Sequence, residues 1–452
     1  MDAVYYALAV QARLELDQSR WPLRPLGEMA HVFYPGRFKR PYAPKGKGTP
    51  FVGSREMFFW PLKPKDFLYG TPEDWQDLMV KRGWILVSRS GTVGQALLVD
   101  SYLEKVAVTE HAIRLKPKKS GKGGFLYAFL RSRFGDGLLK GIQFGAVVKE
   151  IGSHQVESFL VPDLSQERKH RIHTKMLRAL SLRERGSFLL KEAEQLLYEL
   201  LGLPDPEALE PEYLPNPPGT KVPAFAVKRS ELEGRLDGSY HVPEAESLLR
   251  ALKAGRYPLV PLEKLTAYIR IPPRFKRHYV GPDKGVPFVR PSDLATVRVL
   301  ERRYIAKWTP GLSEALLKVG EILVSRSGSI GDMGLVTKAW DGWAGSDDLA
   351  RIATEKSLAH PGYLYAFLAS PYGQVQLRRE IYGGVIDHLE VEHLAKVVIP
   401  SPPLDVQEAI GKRVLQAFAL RDRSNDLEEK TIAELEELIA KGPKIRAVEG
   451  GL

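Results

Sequence analysis

A long internal repeat constrains the fold of this chain more than any other feature of its sequence. Residues 83–94 read GWILVSRSGTVG and residues 320–331 read GEILVSRSGSIG, with nine of the twelve positions identical at an offset of 237. The same offset aligns the RFKR of residues 37–40 with the RFKR of residues 274–277. A register that holds over about a hundred residues indicates duplication, so the chain is predicted to contain the same domain twice.

Each copy has the pattern of a mixed α/β domain. Residues 85–90 form a short apolar run closed by glycines, which predicts a buried strand that enters a tight turn. The two glycines of this turn are predicted to supply backbone angles that other residues avoid. Residues 125–130, repeated at 363–368, are predicted to form an amphipathic helix with its aromatic side chains turned inward. Residues 391–400 are predicted to form a closing strand.

A long helical stretch follows each copy. In residues 165–201 and 406–440, apolar residues recur mostly at intervals of three or four on a charged background. Stretches of about 35 residues with few helix breakers predict two long helices that pair as an antiparallel coiled coil. Each helix would be about 50 Å long at about 1.5 Å per residue. Seven prolines within residues 204–223 predict a stiff, extended linker between the two halves.

These patterns predict a definite order of segments along the chain. Each α/β domain precedes its own helix, and the proline-rich linker joins the two halves. The predicted segments are a first domain at 1–162, a first long helix at 163–203, the linker at 204–225, a second domain at 226–402, a second long helix at 403–441 and a tail at 442–452.

Composition excludes several classes of protein. The chain has no cysteine, which excludes disulfides and thiolate metal sites. It has no apolar run of about eighteen residues and no pattern of a signal peptide, so we expect a cytoplasmic protein without a membrane partner. The net charge of +11, from 66 Lys and Arg against 55 Asp and Glu, favours a polyanionic partner, with nucleic acid ahead of an acidic membrane surface.

The repeated arrangement resembles the specificity subunits of type I restriction-modification systems. Both copies carry a Leu-Val-Ser-Arg-Ser-Gly turn, and similar segments open the two long helices, PDLSQE at 162–167 and PPLDVQE at 402–408. The RLD of residues 235–237, with Tyr240, is similar to the segment that leads into a recognition domain in that family. The specificity subunits of BcgI-like type IIB enzymes are built in the same way, and the sequence leaves both systems open.

The resemblance implies a chain that recognises DNA without a catalytic centre of its own. Its two copies would be target-recognition domains, each reading one half of a bipartite target in double-stranded DNA. The paired helices would act as a spacer and as the docking surface for DNA methyltransferase subunits, two of them by expectation, and for restriction (nuclease) subunits where these join. No catalytic residue, cofactor or metal ion is expected in this chain.

Basic residues cluster at equivalent places in the two copies. Residues 31–65 and 268–302 hold eight Lys and Arg each, and such clusters suit DNA because cations displace the counterions of phosphates. Arg89 and Arg326 follow the repeated strand, where a phosphate contact and an ion pair with a carboxylate are equally open interpretations. The candidate DNA-binding residues are Arg37, Lys39, Arg40, Lys45, Lys47, Arg55, Arg89, Arg274, Lys276, Arg277, Lys284, Arg290 and Arg326.

Two motifs keep an enzyme as the alternative. Residues 216–219, NPPG, resemble the Asn-Pro-Pro-aromatic motif of amino-methyltransferases, but Gly219 replaces the aromatic residue that stacks on a flipped base. Asp163 with Glu167 imitates a nuclease pattern, although acidic residues at a helix start are more typical of capping. The alternative function is therefore a self-contained methyltransferase or nuclease that acts on DNA. A third hypothesis is an RNA-binding or assembly protein that uses its helices only for partners.

Overall fold

The fold consists of two compact units. Unit 1 comprises residues 1–185 with 420–452, and unit 2 comprises residues 186–419. No helix in the described part of the chain is long and apolar enough to cross a membrane. The computed structural model describes residues 3–91, 93–118, 122–143, 149–215, 224–232, 234–238, 240–380 and 388–442.

Helices and strands alternate through both units, which confirms the predicted mixed α/β class. The α-helices of the described residues are α1 (Ala3–Asp17), α2 (Leu26–Met29), α3 (Gly123–Arg131), α4 (Arg133–Gly141), α5 (Ser153–Glu157), α6 (Gln166–Leu201), α7 (Pro243–Lys253), α8 (Pro291–Leu294), α9 (Leu312–Ala315), α10 (Pro361–Ala369), α11 (Pro371–Arg379), α12 (Val391–Lys396) and α13 (Leu404–Lys441). The strands of unit 1 are β1 (Leu23–Pro25), β2 (Ala30–Phe33), β3 (Tyr42–Ala43), β4 (Thr49–Val52), β5 (Asp66–Leu68), β6 (Ile85–Ser88), β7 (Ala96–Leu98), β8 (Ala107–Val108), β9 (Ala112–Pro117) and β10 (Leu160–Pro162). The strands of unit 2 are β11 (Leu259–Pro261), β12 (Thr266–Arg270), β13 (Gly285–Val289), β14 (Arg303–Ala306), β15 (Ile322–Ser325), β16 (Met333–Leu335), β17 (Ala344–Gly345), β18 (Leu349–Thr354) and β19 (Val398–Pro400).

The large sheets of the two units match strand for strand, and the small sheets share three of their strands. Unit 1 has a large sheet in the order β2-β9-β6-β7, and unit 2 has the order β12-β18-β15-β16. A small sheet accompanies each, β3-β5-β4-β8 in unit 1 and β14-β13-β17 in unit 2. The registers also agree, because Ile85 pairs with Leu115 and Ile322 pairs with Ile352. The duplication seen in the sequence is therefore a duplication of structure.

The repeated strand and its turn form as predicted. All four residues of β6, and all four of β15, are buried. Gly91 and Gly94 have positive φ angles of 78° and 83°, and their counterparts Gly328 and Gly331 have 70° and 84°. Only glycine adopts this conformation without steric cost, so the turn geometry explains why these glycines recur.

The helix that follows the large sheet is buried on every side, so its predicted amphipathic character is wrong. Residues 125–130 of α3 are 0–1% exposed. A Cβ added to Gly124 would lie 2.8 Å from the carbonyl oxygen of His173 on α6, and one added to Gly362 of α10 would lie 2.3 Å from that of Gly411 on α13. Each short helix therefore approaches a long helix at a glycine. A helix enclosed in this way is apolar all round.

The predicted closing strand is mostly helix. Residues 391–396 form α12, and only Val398–Pro400 form the strand β19, which pairs with β11. The backbone N–H of Glu390 donates to Nδ1 of His393 at 3.1 Å, a contact that caps the start of α12. Residues 391–396 include Glu392, His393 and Lys396, and the apolar run that suits a strand is confined to residues 397–399.

Both long helices form as predicted. α6 and α13 are continuous over 36 and 38 residues, and each contributes residues to both units. Within unit 1 the hydroxyl of Ser424 donates to the carbonyl of Ala179 at 2.7 Å, and Lys175 pairs with Glu434. These contacts join the first half of α6 to the second half of α13. Coiled-coil packing along the full helices stays a prediction, as do the predicted domain boundaries.

Part of the sequence interpretation lies outside the described residues. This holds for the NPPG of residues 216–219 and for nearly all of the predicted tail. The described part of the linker includes a short 3-10 turn at Pro206–Ala208 and an isolated bridge between Leu214 and Ala224.

A buried ionic cluster joins the two long helices inside unit 1. The side chains of Glu428 and Arg183 are each 2% exposed and form an ion pair. The Tyr127 hydroxyl donates to Glu428 Oε2 at 2.9 Å, and Arg131 lies 3.2 Å from the same oxygen. Burial disfavours the charge of Arg183, but the facing carboxylate outweighs it, so the pKa of Arg183 is raised.

Each unit buries an arginine at the same position of its large sheet, and the two arginines have different partners. Arg351 of β18 is fully buried and pairs with Glu321 Oε2 at 2.6 Å. Its counterpart in unit 1 is Arg114, and the residue of unit 1 that corresponds to Glu321 is Trp84, which carries no charge. Arg114 instead donates to backbone carbonyls, among them that of Ala112 at 2.7 Å. Burial lowers the pKa of Arg114 to about 10, because the attraction of the Glu110 and Asp77 charges offsets only part of the lost hydration.

We expect the substitution Glu321→Gln to destabilise unit 2 by about 2–3 kcal/mol, because Arg351 loses a charged partner and keeps only its carbonyl contacts. Native-state hydrogen exchange of the β15 and β18 amides measures this local free energy. The control is Glu314→Gln, an exposed residue whose backbone carbonyl alone contacts Arg351. Equal protection in both variants would contradict the assignment.

Candidate nucleic-acid interface

The basic segment of unit 1 alternates between solvent and protein. Arg37 and Lys39 are exposed, whereas Phe38 packs edge-on against Phe51 with ring centroids 6.2 Å apart. Arg40 donates to both oxygens of Glu110, at 2.9 and 3.0 Å. Alternate residues of an extended chain point in opposite directions, so one side of the segment holds it in place and the other faces water.

The equivalent segment of unit 2 has the same arrangement. The Arg274 side chain is 82% exposed and Lys276 is also exposed. Phe275 packs edge-on against Phe288 at 6.3 Å, and Arg277 pairs with Asp347. Asp347 lies 237 residues after Glu110, so the anchoring ion pair occurs at the same two positions in both copies.

These anchoring ion pairs shift the pKa values of their members. Burial favours the neutral form of Glu110, but the hydrogen bonds from Arg40 and the attraction of its charge outweigh burial, and the pKa of Glu110 is lowered. Burial likewise disfavours the charge of Arg277, and its hydrogen bond to Asp347 raises its pKa in spite of this. Glu110 and Arg277 are therefore both charged at neutral pH.

The arginines of the repeated turn are also held by carboxylates. Arg89 lies 2.7 Å from Glu150 and its guanidinium stacks over Tyr34 at 4.4 Å. Arg326 pairs with Glu390 and donates to the carbonyl of Leu389 at 3.2 Å. The ion pair is the interpretation that matches this geometry, and a phosphate contact by either arginine stays a prediction.

The other candidate residues also include exposed cations and one cation that is held by a carboxylate. Lys45, Lys47 and Arg55 are exposed in unit 1, and Lys284 is exposed in unit 2. Arg290 is half-buried at the start of α8 and lies 3.0 Å from Asp293. Burial disfavours its charge, yet the bond to Asp293 raises the pKa of Arg290. Arg290 therefore contributes to the cap at the start of α8.

A small sheet supports each basic segment. In unit 1 Tyr42 of β3 pairs with Leu68, and in unit 2 Tyr279 forms a bridge with Ile305 at the same offset of 237. Both tyrosines are about half exposed, at 51% and 48%. Each copy thus presents exposed cations and an exposed aromatic ring from one edge of a rigid sheet, which suits contact with phosphates and bases.

Sequence reasoning missed the residues that fix this interface. Glu110 and Asp347 lie about seventy residues after the arginines they bind, and only the constant repeat offset would have connected them. It also missed Trp308, which is 66% exposed beside the basic segment of unit 2. In the described residues no group of three or more His, Asp or Glu is placed to hold a metal ion.

Comparison with known families finds a match for a segment that lies mostly in unit 2. Residues 273–437 match the family model described as "Type I restriction modification DNA specificity domain". No curated protein sequence matches the chain.

Solved structures give weaker likenesses. The type I restriction-modification S subunit of M. genitalium is 12% identical with a TM-score of 0.37, covering 95% of this chain and 98% of that one. The HsdS subunit of Thermoanaerobacter tengcongensis is 16% identical with a TM-score of 0.28, covering 93% and 97%. Scores this low support no argument, whereas the family match does.

Unit 2 thus contains most of a DNA specificity domain, and its sheets and anchored basic segment recur in unit 1. The matched segment is similar to the DNA specificity domain of type I restriction-modification systems, and it defines a DNA-recognition class of domain in unit 2. The sheets and the anchored basic segment of unit 1 repeat this arrangement.

Proposed function

We propose that the chain reads a bipartite target in double-stranded DNA, one half with each target-recognition domain, and that it carries no catalytic centre of its own. Methylation, and cleavage where a nuclease joins, would belong to partner subunits docked on the long helices. Whether those partners form a type I or a type IIB system does not alter this division of labour.

One observation carries the proposal: the outward cations occupy the same positions in both units. Arg37 with Lys39 and Arg274 with Lys276 are exposed, while Arg40 and Arg277 form hydrogen-bonded ion pairs with carboxylates. Arg274 also lies 3.6 Å from Asp347, but its side chain stays 82% exposed. Exposed Lys and Arg side chains on a fixed backbone can displace the counterions of phosphates at little entropic cost. Two such segments in one chain suit two separate contacts with a duplex.

Phosphate contacts position a protein on DNA but carry no sequence information, so other side chains must read the bases. The exposed residues beside the outward cations are the candidates, including Lys45 and Lys47 in unit 1 and Lys284 in unit 2. Arg and Lys reach guanine O6 and N7 in the major groove. Discrimination of about 1–3 kcal/mol per base pair would follow from each good contact.

The long helices suit the spacing and docking role in the proposal. At about 1.5 Å per residue, each is about 50 Å long, which is roughly one and a half turns of B-DNA at about 34 Å per turn. Charged side chains line them, as in the i,i+4 pairs of Lys412 with Glu408 and Lys430 with Asp426. Such exposed pairs contribute little to stability, so these helix surfaces remain available for partners.

Exchange of one recognition domain is the test of this function. Residues 1–160 would be replaced by the corresponding part of a second specificity subunit, and the chain co-expressed with its methyltransferase. We expect the methylated sites, mapped by sequencing, to change in one half of a split motif and to keep the other half. A smaller variant that exchanges only the exposed Pro44, Lys45 and Lys47 leaves the buried core intact and keeps Gly46 and Gly48, whose positive φ angles disfavour other residues.

Three outcomes would contradict the proposal. Methylation of an uninterrupted motif would contradict a bipartite target, and a change in both halves would contradict one half per domain. Transfer of a labelled methyl group to DNA by the purified chain alone, or cleavage of DNA with magnesium alone, would favour a self-contained enzyme instead.

A further inference from the structure

An exposed tryptophan stands out beside the basic segment of unit 2. Trp308 follows strand β14 and is 66% exposed, an unusual position for the largest apolar side chain. Its ring lies over that of His278, with centroids 4.8 Å apart and planes tilted by 41°. The indole therefore has one face on the imidazole and much of its surface open to solvent.

The backbone holds this pair in place. The N–H of Ala306 donates to the carbonyl of His278 at 2.9 Å, which fixes the imidazole beside the end of β14. The N–H of Lys307 donates to the carbonyl of Lys284 at 3.2 Å and ties the following loop to the start of β13. Trp308 is thus presented from a bonded framework rather than from a loose loop, so little entropy would be lost on binding a ligand.

Cations surround the pair. Lys276 lies two residues before His278, Lys307 directly precedes Trp308, and Lys284 is bonded to Lys307 through the backbone; all three lysines are exposed. A flat apolar face among positive charges is complementary to a polymer that offers flat bases and anionic phosphates together. Base–aromatic stacking is accepted by every nucleobase, because each has a π-face.

We propose that Trp308, supported by His278, stacks on a base of the half-target read by unit 2, at a step where the duplex is locally unstacked. This inference rests on the proposed function and adds to it a specificity-determining residue. An aromatic or apolar side chain inserted at a base step favours sequences that unstack easily. Trp308 therefore selects its half-target through deformability as well as through contact.

Unit 1 has the same backbone without the same side chains. The N–H of Tyr69 donates to the carbonyl of Pro41 at 2.9 Å, which repeats the bond between Ala306 and His278 at the offset of 237. At that offset Thr71 stands in place of Trp308 and Pro41 in place of His278. The pair of Trp308 and His278 is therefore a feature of unit 2 that the equivalent positions of unit 1 lack. The two half-targets would be read by different side chains on the same backbone arrangement.

The test uses the full chain copurified with its methyltransferase, and a duplex selected by that complex from a random-sequence pool. We expect Trp308→Ala to weaken binding about tenfold while the dependence of affinity on salt keeps its slope, since stacking releases no counterions. Trp308→Phe should retain most of the affinity. In unit 2 the exposed Tyr213, whose hydroxyl contacts Glu244 at 2.7 Å, supplies the control Tyr213→Ala, which should bind as the parent does.

A direct readout accompanies the affinities. 5-Iododeoxyuridine placed at successive positions of the half-target should photocrosslink to the peptide that contains Trp308 at one position only. Crosslinks in the other half, an unchanged affinity of Trp308→Ala, or an equal loss on duplexes with the second half scrambled would overturn the inference. Absence of any selected duplex with the parent complex would instead refute the proposed function.

Discussion

Glu428→Gln is expected to unfold unit 1 locally, with a loss of about 3–5 kcal/mol, because it leaves two buried arginines without a carboxylate. Arg183 is 2% exposed, so its side chain does not reach water without a movement of the surrounding helices, and Arg131 on the other oxygen of the same carboxylate is 16% exposed. The amide of glutamine keeps the volume of the side chain and still accepts one hydrogen bond. The lost free energy of unfolding would therefore measure the removal of the charge, and not the creation of a cavity.

Hydrogen exchange read by mass spectrometry separates the units in this measurement. Peptides from α3, α6 and the second half of α13 should lose protection, while those from the large sheet of unit 2 should keep it. Glu437→Gln on the same helix is the matched control, since Glu437 is 61% exposed and its pair with Lys441 is solvent-screened. A loss below about 1 kcal/mol for Glu428→Gln, close to that of the control, would show that the cluster is not ionised as described.

The second large effect is expected on DNA binding. Replacing the four outward cations, Arg37, Lys39, Arg274 and Lys276, by Ala should weaken binding on the order of a hundredfold at moderate salt. Each phosphate contact contributes about 0.9 to the slope of log K against log salt concentration, so the slope should fall by about 3–4. Fluorescence anisotropy with the selected duplex, measured over a series of salt concentrations, gives both quantities.

A control with the same loss of charge is available in the chain. Lys81 and Lys105 of unit 1 and Lys253 and Lys264 of unit 2 are exposed and lie outside the basic segments. Their replacement by Ala lowers the net charge equally but should change the slope by much less, because the effect of a distant exposed charge is screened within about 10 Å. Equal slopes for the two quadruple variants would show that net charge, and not a defined interface, drives binding.

Much of the fold could be predicted from the sequence because the strongest signals were local or repeated. The strand of residues 85–88 is apolar and bounded by glycines, and the long helices have a sustained period, so both were found within a few residues. The segment at 391–396 was predicted as strand together with the apolar residues 397–399 that follow it, but only these last residues suit a strand, and they overlap β19.

The candidate site was predictable only in outline. The repeated RFKR located the basic segments, but the sequence does not say that Arg40 turns inward to Glu110 while Lys39 turns outward. That distinction depends on partners about seventy residues away, which only the folded chain brings together. Trp308 was missed for another reason. The candidate residues were chosen from positions that the two copies share, and Trp308 has no counterpart in unit 1.

The inward anchors separate the task of holding the recognition loop from the task of reading DNA. Phe38 with Arg40, and Phe275 with Arg277, secure the segment in each unit, and in unit 2 the exposed Arg274 adds a longer contact of 3.6 Å to Asp347. Lys39 and Lys276 lie outside these anchoring contacts, so these positions can change by mutation at little cost to the fold. If the proposed function holds, a lineage that inherits this chain can acquire new targets by altering a few surface side chains, and can alter one half-target while the other is kept.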